Sequence, residues 1–333
     1  MRSYKKTILG SAILLILLLA SLFYPMYGPD DFNKQTLIMD EQGNVTGKAP
    51  FPPSKDYWIG TDRNGNDILL LLLYGAKFTL ITTFGVALLR VLTGSLFGIF
   101  IALWAPFLKK YFSDFFLAFR FVPPILIGII LMMPVVGFFN DVAISSIVTY
   151  QIIILVFIGF PSVVLFTVDL IEELLKTTFV KSSFLMGASK FHVLRRQLVP
   201  YLRFYGVLFT VQQLLSTLHI TMQLGLFGFF LGGLNREGVL GYEEPPKAAT
   251  LSNEWAGLIG QNFADFVRVP WSVFGPVIGF FLVIFIVNMI KNEIEANLSE
   301  GYLVKRKKKK AKTVKSTGTA EMKQSQFEFV EKV

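Results

Sequence analysis

Cysteine is absent from the 333 residues. That absence removes disulfides, thiolate nucleophiles and cysteine-ligated metals together. Histidine is nearly as scarce, at His192 and His219 only, which leaves little for a multi-histidine metal site or a Ser/His/Asp catalytic set. Charge is thin: Asp, Glu, Lys and Arg make up 17% of the chain, against about 25% in a soluble domain. Strict apolar/polar alternation is missing from the long apolar runs, which excludes barrel strands. Two loops that imitate ligand sites also fail. Gly43–Ala49, GNVTGKA, has the wrong glycine spacing for a phosphate loop and lacks the Ser or Thr after Lys48. Asp62–Asp67, DRNGND, misplaces the glycine of a calcium loop and lacks its distal Glu. The expectation is therefore no metal, no cofactor and no catalytic residue on this chain.

What the chain has in quantity is apolar surface. Hydrophobic residues make up 53%, Phe alone accounts for 34 positions, and the mean hydropathy is +0.56. A helix crosses a bilayer with about 20 apolar residues. Six stretches qualify: Thr7–Pro29, Phe78–Leu108 with Arg90 inside it, Phe121–Asn140, Val142–Val168, Phe204–Leu234 and Val269–Ile290. The first follows Arg2, Lys5 and Lys6, but its apolar run outlasts that of a cleaved signal and no A-x-A site follows, so 1–29 reads as an anchor helix.

Loop charge orients these spans, because Lys and Arg concentrate on the cytoplasmic side. With the N-terminus inside, segments 1–6, 109–120, 169–203 and 291–333 hold 23 of the 32 Lys and Arg, and both long outer loops are net acidic. The expectation is an all-α integral protein of the cell membrane, six transmembrane helices, with N- and C-termini cytoplasmic. Residues 30–77 form an extracytoplasmic loop region, 78–298 a core with an inner loop 169–203 and an outer loop 235–268, and 299–333 a Lys-rich, low-complexity tail expected to be disordered. Lys305–Lys315, KRKKKKAKTVK, has no interleaved aromatics, so it suits membrane lipids rather than nucleic acid.

Three segments carry patterned chemistry. Tyr57–Lys77 reads YWIGTDRNGNDILLLLLYGAK, a turn-rich cap at Gly60–Gly65 and then Asp67, placed where a carboxylate opposes a helix dipole. The inner loop runs Lys181-Ser182-Ser183, three residues, Gly187-Ala188-Ser189, then Val199-Pro200 with Pro200 thirteen residues beyond Gly187. It reads as a short helix, a glycine bend and a second short helix, with Pro200 opening the next span where its missing N–H costs nothing. Asn253–Pro276 pairs Glu254-Trp255 with Pro270-Trp271, whose indoles are expected at the outer membrane interface.

Together the three resemble the C-type permease subunits of the oligopeptide, dipeptide and nickel importers of the ATP-binding-cassette class. In the first segment the matching positions are Trp58, Gly60, Thr61, Asp62, Gly65, Asp67 and the Tyr74-Gly75-Ala76-Lys77 close. In the second they are Gly187, Ala188, Ser189 and Pro200, and in the third Glu254, Trp255, Pro270 and Trp271. Lys181-Ser182-Ser183 stands where the family carries Glu-Ala-Ala, which reverses a charge. The resemblance implies the type I importer permease fold and a heterodimer with a B-type permease. It also implies two ATPase subunits that bind ATP and Mg, an extracytoplasmic substrate-binding protein, and docking of 181–200 in an ATPase cleft. The implied cargo is an oligopeptide or dipeptide; nickel or another small solute, and a non-transporting scaffold or sensor that kept the fold, stay open.

Polar residues within spans are the pathway candidates. Arg90 either lines the pathway or pairs with the sister subunit, since an unpartnered charge in lipid costs about 3 kcal/mol. Gln212, His219 and Gln223, spaced seven and four, share one face of span five, with Gln213 off that line. They face either a conduit or a partner helix. Gly94/Gly98, Gly228/Gly232 and Gly275/Gly279 are spaced for close helix packing.

Overall fold

The computed structural model describes residues 4–39, 45–119, 121–136, 143–237 and 247–298; the expectations for the tail 299–333 lie outside them. In chain order the elements begin with α1 (Lys5–Tyr27), β1 (Leu37–Met39), β2 (Val45–Lys48), α2 (Ile68–Trp104), α3 (Leu108–Phe119) and α4 (Pro124–Val136). There follow α5 (Ile144–Leu175), α6 (Thr178–Leu185), α7 (Lys190–Val193), a π-helical turn (Leu194–Leu198) and α8 (Val199–Leu226). β3 (Leu234–Glu237), β4 (Lys247–Thr250), α9 (Trp255–Phe263) and α10 (Pro270–Leu298) complete the described chain. The helical class is as expected, with two small antiparallel hairpins, β1–β2 and β3–β4, added in the connections α1–α2 and α8–α9.

Four of the described helices are long and apolar enough to cross a membrane: α1, α2, α5 and α10. α8 is 28 residues long but is diluted by Arg203 and its glutamines. α4 has 13 residues, a rise of about 20 Å against a hydrocarbon core of about 30 Å. The second span is longer than its apolar pattern suggests. α2 starts at Ile68 rather than Phe78, because Asp67 accepts the Leu69 N–H at 2.8 Å and caps the helix there. Its 37 residues rise roughly 55 Å, so it overshoots the bilayer.

α2 is the axis of the bundle and packs on α1, α5, α8 and α9. Its backbone meets α5 closely: a Cβ at Gly94 would lie 2.6 Å from Val163 Cβ, and one at Gly98 2.8 Å from Thr167 Cβ. Gly279 likewise abuts Trp255. Gly228 and Gly232 are a correction, for they are not on a helix face. Both have positive φ, +83° and +86°, in the turn after α8, a region that only glycine enters without strain. The start of α1 and the end of α10 share one end of the bundle: Glu293 carboxylate oxygens accept the Lys6 N–H at 3.1 Å and the Thr7 N–H at 2.6 Å, capping α1 from another helix.

The other end is a cap in which two segments far apart in sequence join. Asp62 is buried and accepts the Asn64 and Asn66 N–H groups at 2.9 and 2.8 Å. Thr61 accepts from Phe51 N–H through its hydroxyl at 2.7 Å and from Trp271 Nε1 through its carbonyl at 3.0 Å. Gly60 and Gly65 turn the chain at φ +89° and +83°. Tyr74 packs edge-on to Tyr24 and Phe32. Trp255 corrects the expectation of an interfacial indole: it is 3% exposed and donates Nε1–H to the Leu72 carbonyl at 2.8 Å. A hydrogen-bond partner within the cap makes burial of the indole N–H favourable. Glu254 is buried beside it, its carboxylate accepting from Leu231 N–H at 3.0 Å and Gly257 N–H at 2.6 Å. Burial pushes the Glu254 carboxyl up, against the pull of those N–H groups.

Two outcomes follow from the cap. Gly75 meets the turn before α9 so tightly that a Cβ would sit 1.9 Å from the Asn253 carbonyl oxygen, whereas one at Gly85 meets nothing within 4 Å. Gly75→Ala should lower the thermal midpoint in detergent, at a cost of about 2 kcal/mol or more, while Gly85→Ala leaves it level or raises it, since Ala is the better helix former. For Glu254 the folded carboxyl holds its proton more firmly than the unfolded one. Stability from this group is therefore greatest below the unfolded value and falls as pH rises through the window up to the folded value. The pH slope of the thermal midpoint above about pH 4.3 should be shallower in Glu254→Gln.

Candidate functional site

At the end opposite the cap, the chain between α5 and α8 folds into a knob. α5 ends at Leu175, and α6 turns back over the ends of α2 and α5. Val180, Val193 and Leu198 are fully buried against Leu103, Ile171 and Leu174. Each such side chain stabilises the seat by roughly 1.5–3 kcal/mol. Gly187 bends the chain at φ +86°, and Ser189 then caps α7 by accepting the His192 N–H. Gln197 donates its amide to the Ser183 hydroxyl, tying α6 to the π-helical turn. Lys190 Nζ donates to the Leu103 carbonyl at 2.8 Å, tying α7 to the end of α2.

The knob does not stop before α8. α7, the π-helical turn and α8 run on as one rod, and Val199 N–H donates to the Leu194 carbonyl five residues back. Pro200 stands in the first turn of α8, as the pattern suggests, but no break precedes it. Pro200 sits inside a continuous helix, and the wider π turn before it gives its ring the room that an α turn denies. Ser183 is buried, whereas Lys181, Ser182, Gly187 and Ser189 are exposed and Ala188 is half-buried. Ser183, Met186, Gly187, Ala188, Ser189 and His192 line an open hollow, and Leu185, Met186 and Phe191 are left uncovered around it.

Between knob and cap lies a buried polar junction. Arg90 on α2 is 0% exposed. Its Nε and Nη2 both donate to the Leu155 carbonyl of α5, Nε at 2.8 Å, and Nη1 donates to Gln213 Oε1 of α8 at 3.3 Å. Gln213 in turn donates to the Ser162 hydroxyl at 3.3 Å. Gly159 makes the space, since a Cβ there would lie 2.3 Å from Arg90 Nε. Arg90 is thus placed in the packing of three helices, with neutral oxygens as its acceptors.

The rest of the α8 polar set faces away from the packing. His219 and Gln223 are exposed on this chain, and Gln212 and Ser216 are half-exposed. Ser216 falls on the same stripe, one turn from Gln212, a position that residue-type reasoning passed over because serine is unremarkable in a helix. His219 Nδ1 lies 2.8 Å from the Leu215 carbonyl. That oxygen only accepts, so Nδ1 is the donor in this contact. Gln213, set aside in the sequence as off the stripe, is the residue that reaches Arg90. Gln151 was missed altogether. It is 2% exposed, donates to the Phe230 carbonyl at 2.8 Å and accepts from Gly232 N–H at 3.0 Å, so it pins the turn after α8 to α5.

Arg90→Gln should destabilise the fold by about 2–4 kcal/mol, because the carbonyl and amide oxygens it satisfies are buried. His219→Gln should leave the thermal midpoint in detergent nearly unchanged. Equal midpoints for the two variants would contradict this division between packing and exposed face.

A family model described as binding-protein-dependent transport system inner membrane component matches residues 94–300. The oligopeptide transport system permease protein OppC of Bacillus subtilis (strain 168) is 32% identical over 97 residues, 29% of this chain and 29% of that one. The oligopeptide transport system permease protein AmiD of Streptococcus pneumoniae is 24% identical over 150 residues, 44% of this chain and 46% of its own. A putative peptide permease protein of Brucella abortus biovar 1 is 24% identical over 289 residues, 86% of this chain and 84% of its own. The chain therefore spans less than half the length of the first two relatives and most of the third.

Proposed function

The chain belongs to the family of binding-protein-dependent transport system inner membrane components, and on that premise we propose that it is the membrane-spanning permease subunit of an ATP-binding-cassette importer for oligopeptides or dipeptides. The observation that carries this reading is the rod from Lys190 to Leu226. One end of it forms half of the exposed knob, and its far half bears the polar stripe Gln212, Ser216, His219 and Gln223. A movement imposed on the knob is delivered to the stripe without an intervening hinge.

In this reading six helices cross the membrane, with α4 and α8 joining the four long apolar ones. The knob end, where α1 starts and α10 ends, is cytoplasmic. The stripe faces an aqueous conduit shared with a second, B-type permease. Neutral amide, hydroxyl and imidazole groups offer hydrogen bonds to peptide amides without selecting a charge, which fits cargo of varied sequence. ATP and Mg are held by two ATPase subunits, one of which docks on this knob, and an extracytoplasmic substrate-binding protein delivers cargo to the cap. Loss of the family's Glu at Lys181 favours a second reading, a scaffold or sensor that kept the fold.

Purifying the full chain from its native membrane in mild detergent separates the two. The importer reading expects a co-purifying ATPase whose hydrolysis rises when cargo-loaded binding protein is added; recovery without any ATPase supports the scaffold. Replacing Gln212, His219 and Gln223 together by Leu should cut peptide uptake by an order of magnitude or more while ATPase recovery stays at the wild-type level. Phe191→Asp should do the reverse, lowering ATPase recovery first.

A further inference from the structure

We infer that the knob docks against an acidic cleft, with a carboxylate of the ATPase subunit standing opposite Lys181. The inference rests on the importer reading and adds the sign of its contact. From Lys176 to Arg203 the chain carries six Lys or Arg and no Asp or Glu. The acids that precede this stretch are partly spoken for: Lys109 Nζ lies 2.9 Å from Asp169 Oδ1 and 2.8 Å from Glu172 Oε2. Lys190 is turned inward onto the Leu103 carbonyl. That leaves Lys176, Lys181, Arg195, Arg196 and Arg203, all exposed and in no ion pair among the described residues.

Beside these cations, Leu185 is 89% exposed, Met186 79% and Phe191 63%. Apolar side chains at a centre with charges around it are the make-up of a protein interface. An anionic membrane surface would also attract the cations, but it does not account for the hollow. The hollow is a local recess lined by Ser183, Met186, Gly187, Ala188, Ser189 and His192, so both polar and apolar groups line it, and the space above Gly187 is empty within 4 Å. It fits an inserted protein side chain better than an acyl chain. A cleft that covers Lys181 and leaves it dry must supply a counter-charge, because a desolvated cation without a partner is strongly disfavoured.

The test compares the full wild-type chain with Lys181→Glu and Lys181→Met, each purified in mild detergent with the ATPase that accompanies it. Lys181 is exposed, so all three should share one thermal midpoint, and that is measured first. ATPase recovery should fall roughly tenfold for Lys181→Glu and less for Lys181→Met. The gap should narrow as NaCl is raised from about 50 mM to about 500 mM, where screening shortens the reach of the charges. Equal or better recovery with Lys181→Glu would overturn the inference, better recovery meaning that the cleft carries a base. Unchanged ATPase recovery with weakened binding to anionic lipid vesicles would overturn it in favour of a membrane contact. A wild-type chain that recovers no ATPase removes the importer reading itself, and that result does not depend on position 181.

Discussion

A guanidinium buried among apolar helices has to be given oxygen, and Arg90 sets the terms on which α2, α5 and α8 meet. Its donors reach the Leu155 carbonyl and the Gln213 side chain, so α5 and α8 are held at fixed distances from α2. Residue 159 must lack a side chain for the group to fit. Ser162 then takes up the remaining Gln213 donor. Helix association in a membrane lacks the usual hydrophobic drive, and close packing with polar contacts replaces it. Gly94 and Gly98 supply the close packing on the same pair of helices and Arg90 the polar contacts.

From that junction the two ends of the molecule follow. α2 has 37 residues, and each of its two ends serves as a platform. At one end Gly75, Leu72 and Thr79 receive the turn before α9 and the Trp255 indole and N–H. At the other, Leu103 receives the knob, through packing and through Lys190. The knob continues into α8 without a break, and α8 returns to the junction through Gln213. Cap, junction and knob are therefore joined by continuous packing along α2 and α8.

The patterned segments hold both residues that the backbone requires and residues that it leaves free. Gly60, Gly65 and Gly187 adopt positive φ, and no other residue type does so without strain. Asp67 caps a helix, and Asp62 and Glu254 collect backbone N–H groups inside the cap. The Lys181 side chain is exposed and in no ion pair among the described residues. An exposed position can reverse its charge if the surface it meets reverses too, and the cost falls on the complex, not on the fold.

Hydropathy was enough to find the helical class and to mark the long helices among the described residues. It missed boundaries, because an apolar run ends where composition changes, while α2 begins where Asp67 supplies an acceptor and α8 begins inside the knob. The three signature segments were readable, since glycines and caps act locally and leave local spacing. That the first and third interlock could not be read, because Trp255 to Leu72 and Trp271 to Thr61 are contacts between residues 183 and 210 positions apart. Arg90 shows the division most sharply. By itself the sequence determined that a charge lay within an apolar span and required a partner. Only the tertiary structure decided that the partners were a backbone carbonyl and Gln213, because which side of a helix meets which neighbour is set by packing across the whole bundle.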